Sequence, residues 1–414
     1  MWPVIPPSTI LPIVAAMAAC VALSIFVVQP AWGRSRAVRR AVLLAFSVVL
    51  AGAGLWALGR AVGDLRVVHL GAGITYAAVL VLGPAAFSTP VAALGNRLLL
   101  RVAAPAQATG RTGTRITRRA LIDFGGAALP AIAALGGASG LAAARRPPRM
   151  PVIRLRWPGL HPDLHGLKIL QLSDLHLGVY FGLADLKRAL AAAKAEHRPD
   201  LIVLTGDLAD DASLIPEALQ LVASAGARYG AIASLGNHEY LHGIDVTRPK
   251  YEASPVPLLV GAGRALRVGR ATMFIGGADD PVHMGGDIAW MLKPSIARSI
   301  ADAPANVDFK LLLCHRPEGH GPAAEAGYDL TLSGHTHGGQ IGLLGRSLFE
   351  KLRPEVSWWG AYVKRRPDGR PSRLYTTSGF GHWFPFRFGC PTEAPLIVLE
   401  GVDHLRVGDG MPTT

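Results

Sequence analysis

The sequence predicts an α/β domain preceded by an all-α membrane region. Two observations carry this. The first 149 residues are long uncharged runs separated by arginine-rich segments, whereas residues 150–404 alternate short apolar runs with helical spacing. The charge divides at the same place. Residues 1–149 hold fifteen Arg, no Lys and two acids, Asp64 and Asp123, and so carry the whole net charge of +13; beyond them 27 bases face 27 acids. The basic isoelectric point therefore belongs to the first third alone, and bases set between apolar runs are a signature of membrane topology rather than of a nucleic-acid surface. With 50% hydrophobic and only 17% charged residues, the chain is no disordered protein. Three cysteines, Cys20, Cys314 and Cys390, are too few for a disulfide scaffold or a Cys-rich zinc site and read as buried unpaired thiols.

In the first part, Ile10–Val28, Ala41–Leu58 and Val67–Phe87 are uncharged and near the 20 or so residues that span a bilayer. A fourth run, Phe124–Ala144, has Gly or Ala at 14 of 21 positions. About four helices are expected, near 10–28, 41–58, 67–87 and 120–144. Arg34, Arg36, Arg39 and Arg40 follow the first run, and Arg97, Arg101, Arg111, Arg115, Arg118 and Arg119 follow the third. The positive-inside rule places both segments in the cytoplasm, which puts residues 150–414 on the periplasmic or extracellular side of a multi-pass inner-membrane protein. Arg145, Arg146 and Arg149 oppose that assignment mildly. Thr117-Arg118-Arg119-Ala120-Leu121 before the fourth run resembles a twin-arginine export signal, and paired arginines also fit plain topology. Ala142-Ala143-Ala144 could be a signal-peptidase site, so a retained helix and a cleaved signal both stay open.

Pro147-Pro148 breaks the chain, and the second pattern begins. Lys168–Leu172, Leu201–Leu204, Ala231–Leu235, Thr272–Ile275, Lys310–Cys314 and Asp329–Leu332 read as short buried strands. Leu183–Ala195, Pro216–Ala225 and Ile288–Ile300 have helical spacing. Five of the strands run into Asp, His or Asn, usually beside Gly: Asp174 and His176, Asp207, Asn237, His315, and His335 with His337. In α/β sheets ligands bind beyond the carboxyl ends of strands, so these side chains can converge. On an extended chain, His335 and His337 would also point to the same side.

Two carboxylates, one amide and four imidazoles are more donors than one ion takes. Two ions sharing a carboxylate would use them all, and this donor set suits Mn, Zn, Fe or Co better than Ca or Mg. Two such ions can clamp a phosphate and activate water.

The order D-x-H, G-D, G-N-H-E, H, G-H-T-H, read at Asp174-Leu175-His176, Gly206-Asp207, Gly236-Asn237-His238-Glu239, His315 and Gly334-His335-Thr336-His337, resembles the calcineurin-like metallophosphoesterase family. Leu172-Ser173-Asp174-Leu175-His176 and His337-Gly338-Gly339-Gln340 are similar to its bacterial membrane-associated or exported branch. The resemblance covers about residues 150–402. It implies a two-sheet sandwich flanked by helices, two divalent metal ions, and hydrolysis of a phosphoester or pyrophosphate. It also implies that Asp174, His176 and His337 hold one metal, that Asn237, His315 and His335 hold the other, and that Asp207 bridges. His238 would face the phosphate as the catalytic residue.

The substrate expected is a phosphorylated small molecule or a lipid-linked one, with membrane lipid as a further partner and no nucleic acid, since the second part is electrically neutral. A catalytically idle scaffold or receptor and a nuclease of the same fold are the alternatives. His382 and Trp383 are substrate-binding candidates within Phe380–Phe388, a segment with five aromatics and Arg387. Strand alternation there would put Phe384, Phe386 and Phe388 on one face and Trp383 on the other. The remaining histidines, including His242 and His320, read as surface groups, and residues 405–414 as a tail.

Overall fold

The computed structural model describes residues 7–102, 118–178, 180–281, 286–382 and 385–402. The chain divides into two compact units, Met1–Ala143 and Ala144–Thr414.

The first unit is all helical: α1 (Pro7–Ala22) continuing into a π-helical turn (Leu23–Val28), α2 (Pro30–Arg34), α3 (Arg36–Val62), α4 (Leu65–Val102) and α5 (Arg118–Ala144). Ser35 caps α3 through its hydroxyl, and Gly63 ends it in the left-handed conformation, φ 72°. Helices α3 and α4 then pack backbone to backbone through glycine. A Cβ at Gly59 would lie 2.4 Å from the Val68 nitrogen, and one at Gly71 2.2 Å from the Trp56 nitrogen. Such small-residue contacts are how helices associate where water supplies no hydrophobic drive. Arg36–Val62 and Leu70–Arg101 are long and apolar enough to cross a membrane; Pro12–Val28 and Ala128–Ala144 are shorter apolar helices. The third expected run is longer than the sequence indicated, because α4 continues through Pro84 and Pro90.

The second unit contains β1 (Val152–Trp157), β2 (Lys168–Leu172), α6 (Leu183–Glu196), β3 (Leu201–Thr205), α7 (Ile215–Ala223), β4 (Ala231–Ser234), α8 (Asn237–Leu241), α9 (Ile244–Glu252), β5 (Ala262–Val268), β6 (Ala271–Gly277), α10 (Ile288–Ile300), β7 (Phe309–Leu313), α11 (His320–Glu325), β8 (Leu330–Ser333), the short hairpin β9 (Gly342–Leu343) and β10 (Arg346–Ser347), β11 (Gly360–Arg365), β12 (Pro371–Thr376) and β13 (Leu396–Gly401). One sheet has the order β1-β13-β2-β3-β4 and the other β11-β12-β8-β7-β6-β5. Strands β2, β3 and β4 are mutually parallel, as are β6, β7, β8 and β12. This is the two-sheet sandwich flanked by helices.

Alternation along each strand divides its side chains between two layers. Ile169, Leu201, Val203, Leu311, Leu313, Leu330 and Leu332 meet between the sheets. Leu170, Leu172, Ile202 and Leu204 face Leu186, Leu190 and Leu219 of α6 and α7, while Leu312 packs with Leu292 and Ile296 of α10. Central strands are therefore apolar on both sides, which is why they read as unbroken runs.

The sheets are stitched at the carboxyl end of their central strands. Gln171 of β2 donates to Ser333 O of β8 (2.9 Å) and to Thr205 Oγ1 of β3 (3.1 Å). Leu311→Ala should leave a cavity in this shared core and cost about 2–5 kcal/mol, read from the midpoint of chemical denaturation. A cost below 1 kcal/mol would show that the site collapses freely and is not the common core.

Candidate metal centre

All seven candidate ligands lie just past β2, β3, β4, β7 and β8, and the structure brings the carboxylates and imidazoles among them together, with Asn237 at the start of α8 beside them in the chain. Asp207 Oδ2 is the centre of this cluster: His315 Nε2 lies 3.1 Å away, His176 Nε2 3.7 Å and His238 Nε2 4.0 Å. His337 Nε2 is 3.5 Å from Asp174 Oδ1 and 3.2 Å from His176 Nε2. Among the described residues three groups with converging donor atoms result, Asp174–His176–His337, Asp207–His315–His335 and His176–Asp210–His238.

The backbone at these residues is unusual. Asp174, His176, Asp207, His335 and His337 have φ of 53°, 47°, 53°, 66° and 49°. Non-glycine residues adopt this left-handed region at a cost of roughly 1–2 kcal/mol each, and such strain collects at functional sites. It also corrects the reading of His335 and His337 as extended neighbours. The left-handed turn at each sends His335 to the Asp207 group and His337 to the Asp174 group.

Bonds between loops hold this conformation. Asp174 N donates to Gly206 O (3.1 Å) and His176 N to Asp207 O (3.1 Å). The Asp174 carboxylate accepts from Ser173 Oγ (2.6 Å) and from His335 N (2.9 Å). Asp207 Oδ1 accepts from His238 N (2.9 Å). Glycine is required where these loops touch: a Cβ at Gly334 would sit 2.0 Å from Asp174 Oδ2, and one at Gly236 2.3 Å from Asp207 Oδ1.

Beneath them lies Glu239, fully buried. Its carboxylate accepts from the backbone N–H of Gly236 (2.8 Å), Asp207 (3.1 Å) and Leu208 (2.9 Å) and from Tyr251 Oη (2.8 Å). Reading G-N-H-E in the sequence gives Glu239 no role; the structure makes it the tie between the loops after β3 and β4.

Asp210 was invisible in the sequence. Its Oδ1 lies 3.0 Å from His176 Nδ1, 2.8 Å from His238 Nδ1 and 3.3 Å from His242 Nε2. Burial would raise this carboxyl, but the three imidazoles hold it far below the ordinary range. A carboxylate behind the Nδ1 atom of His176 and His238 leaves Nε2 of each ring toward the cluster. Three residues after Asp207, Asp210 looks no different from its neighbour Asp211. His242, read as a surface group, belongs to the site because it lies four residues after His238, one turn on.

The other imidazoles have different partners. His315 Nδ1 meets Thr205 O (2.8 Å). His335 Nε2 is 2.9 Å from Arg316 Nη1, whose Nε is held by Asp280 (2.8 Å). Arg387, fully buried, donates to His337 O (2.9 Å) and Gly381 O (2.6 Å), with Nη2 3.1 Å from His337 Nδ1. The electrostatics follow these neighbours. Burial depresses His315 and His238, but the carboxylates around them together outweigh it, Asp207 foremost, with Asp174 and Asp280 at His315 and Asp210 and Glu239 at His238, and lift them to about 10 and about 9. Burial drives His335 and His337 well below the ordinary range, helped by His315 and Arg316 in one case and Arg387 in the other.

His382 is buried, with its Nδ1 lacking a hydrogen-bond partner among the described residues. It packs on Tyr180 and Phe181, with ring centroids 5.2 and 5.1 Å away. Trp383 and Phe384 lie outside the described residues. The expected strand alternation fails nearby: Phe386 is buried and Phe388, two residues on, is 42% exposed, because this stretch forms only an isolated bridge from Phe388 to Ile341. His320, read as a surface group, is buried against Ser372 O (3.1 Å).

The residues fit divalent cations. Asn237 Oδ1 is buried without a hydrogen-bond partner among the described residues, and such an atom costs about 1–3 kcal/mol if nothing takes its lone pair.

A two-sheet sandwich with carboxylates and imidazoles gathered past its strand ends defines a protein with a site built for metal. Comparison with known proteins makes this specific. Residues 167–339 match the model of the calcineurin-like phosphoesterases. The chain is 30% identical over 256 residues to the phosphodiesterase YaeI of Escherichia coli, covering 60% of this chain and 87% of that protein. It is 29% identical over 262 residues to a metallophosphoesterase of Campylobacter jejuni, covering 62% of this chain and 65% of that protein's length. It is 30% identical over 277 residues to a bovine transmembrane protein with a metallophosphoesterase domain, covering 63% and 59%. Among solved structures, the NAD nucleotidase of Haemophilus influenzae aligns with a TM-score of 0.37 at 16% identity, over 52% of this chain and 50% of that one. The chain belongs to the calcineurin-like phosphoesterase family.

Glu239→Gln keeps the shape but turns an N–H toward backbone donors. It should cost about 1–3 kcal/mol in denaturation and lower the metal content of the purified protein. Unchanged stability and metal content would remove Glu239 from this supporting role.

Proposed function

We propose that the protein is a membrane-tethered phosphohydrolase that cleaves a phosphoester or pyrophosphate bond at a two-metal centre. The observation that supports this best is the convergence on Asp207 Oδ2 of imidazoles from three different loops, beside a second group built on Asp174. Asp174, His176 and His337 would hold one divalent ion and Asn237, His315 and His335 the other, with Asp207 shared. Bound there, the ions would neutralise phosphoryl oxygens and make the attacking water more acidic.

The chain's own groups do the rest. Asp210 fixes His238 through Nδ1 at 2.8 Å, so His238 Nε2 is the atom that delivers a proton to the leaving oxygen. This reading keeps His238 off the metals although Asp210 holds its Nδ1 as it holds that of His176, and the metal content of a His238 variant decides between the two roles. The substrate is a phosphorylated small molecule or a lipid-linked phosphate, and His382 contributes to its binding.

Metal analysis of the purified full-length chain should give two ions, and Asp207→Asn should lower metal content and activity on model phosphodiesters together. One ion per chain in an active preparation contradicts the shared-ligand reading. His238→Ala should keep its metal and lose turnover by about 10²-fold or more; loss of metal instead would place His238 among the ligands.

Two helices long and apolar enough to cross a membrane support a membrane protein, and the arginine distribution puts the catalytic unit outside the cytoplasm when the shorter apolar helix Ala128–Ala144 crosses as well. Fusions after Gly159 should then be active as an exported phosphatase reporter, and fusions after Pro105 should fluoresce in the cytoplasm. The reverse pattern would turn the topology over.

A further inference from the structure

We infer that the β9–β10 hairpin and the turn that follows it form a docking surface for an anionic lipid bilayer, beside the metal centre. This rests on the reading of the chain as membrane-held.

The hairpin tip is Leu343-Leu344-Gly345-Arg346. Leu344 has φ 53° and Gly345 φ 79°. Two successive positive φ values are the pattern of the two-residue hairpin turn that favours Asn-Gly or Asp-Gly. Here a leucine occupies the strained first position and is 94% exposed. Strain and an apolar side chain in water are both unfavourable. Leu343 is also exposed, and Leu348 and Leu352 follow at helical spacing, 48% and 72% exposed. Phe388, the bridge partner of Ile341, adds an exposed ring at the base.

The surface is rigidly mounted. Gly342 N donates to Phe388 O (2.8 Å), Phe388 N to Gln340 O (3.0 Å) and Leu348 N to Ile341 O (3.0 Å). Gln340 Nε2 donates to Phe386 O (3.0 Å). The hairpin starts five residues after His337, so whatever it touches is held next to the metal-binding loops.

Its residue types, rather than its net charge of +1 over residues 343–355, favour lipid over a second apolar protein surface. Residues 343–355 contain three bases, Arg346, Lys351 and Arg353, all exposed, and two acids, Glu350 and Glu355, each paired with one of those arginines. Leucines interleaved with bases are the composition of segments that lie in the headgroup region, apolar tips inward and cations at the phosphates. Trp358, tilted against Phe349 with ring centroids 5.4 Å apart, is a residue type enriched at that depth.

The test uses the full-length chain with Cys20→Ser, since Cys314 and Cys390 are buried. Leu344→Cys carries an environment-sensitive fluorophore, and Asp302→Cys, on an exposed turn, is the control. Both proteins are reconstituted into nanodiscs of phosphatidylglycerol and phosphatidylethanolamine containing doxyl lipid. The label at 344 should shift to the blue and lose most of its emission to the doxyl quencher, while the label at 302 does neither. Adding Leu343→Asp should abolish the quenching and leave thermal stability unchanged. Equal, water-like emission at both positions overturns the inference, as does a blue shift that rises with protein concentration and ignores the quencher. Carbonate extraction reports separately on the tether. If the chain is extracted, vesicles of the same lipids are added to the labelled protein and the same quenching decides.

Discussion

A carboxylate with no water around it has to be solvated by the protein, and Glu239 is solvated by the loops it organises. Three backbone N–H groups and the Tyr251 hydroxyl point at its two oxygens. Hydrogen bonds to a buried charge are strong, and leaving one unmade is expensive. The conformation of Gly206–Leu208 is therefore fixed relative to Gly236–His238, and Asp207 is placed before any ligand arrives. The same device recurs on the other sheet. Buried Glu393 accepts from Tyr375 Oη (3.0 Å), Thr377 Oγ1 (3.0 Å) and Ser378 N (3.1 Å). That pins the turn whose Gly379 lies against Asp174 and His337.

These anchors explain how five left-handed ligand residues persist. Each strained residue favours relaxation to an ordinary backbone, and that relaxation would strip loop-to-loop bonds from its neighbours. Strain and support are distributed over the same few loops. Asp210 adds the side-chain counterpart: one oxygen shared by three imidazoles sets the tautomer of two of them and brings His242 into the centre.

What could be read in the sequence follows from this physics. Central strands such as Leu201–Thr205 are buried along their whole length and announce themselves as apolar runs. Strands β5 and β11 are mostly exposed and look like loops, as does β1, in which only Leu155 and Trp157 are buried. The candidate ligands were legible because Asp, His and Asn beside Gly at strand ends are chemically conspicuous. Asp210, Arg316 and Arg387 are ordinary residues in the sequence; their roles exist only once distant segments meet. The aromatic segment misled for a related reason. Alternation is a property of paired strands, and the described residues of this segment are tied down instead by bonds from Phe380 N and Gly381 N to the Asp174 loop, by Arg387 and by an isolated bridge at Phe388.

Strand β13 lies between β1 and β2, pairing parallel with one and antiparallel with the other. The first two strands of the domain are thus not neighbours, and the gap between them is filled by the last strand made. On a ribosome working at about 5–20 residues per second, the edge of β2 waits on the order of 10–50 s for its partner. Throughout that interval the domain cannot close its first sheet, and the backbone N–H and C=O groups along that edge of β2 stay open to pairing with any other extended segment.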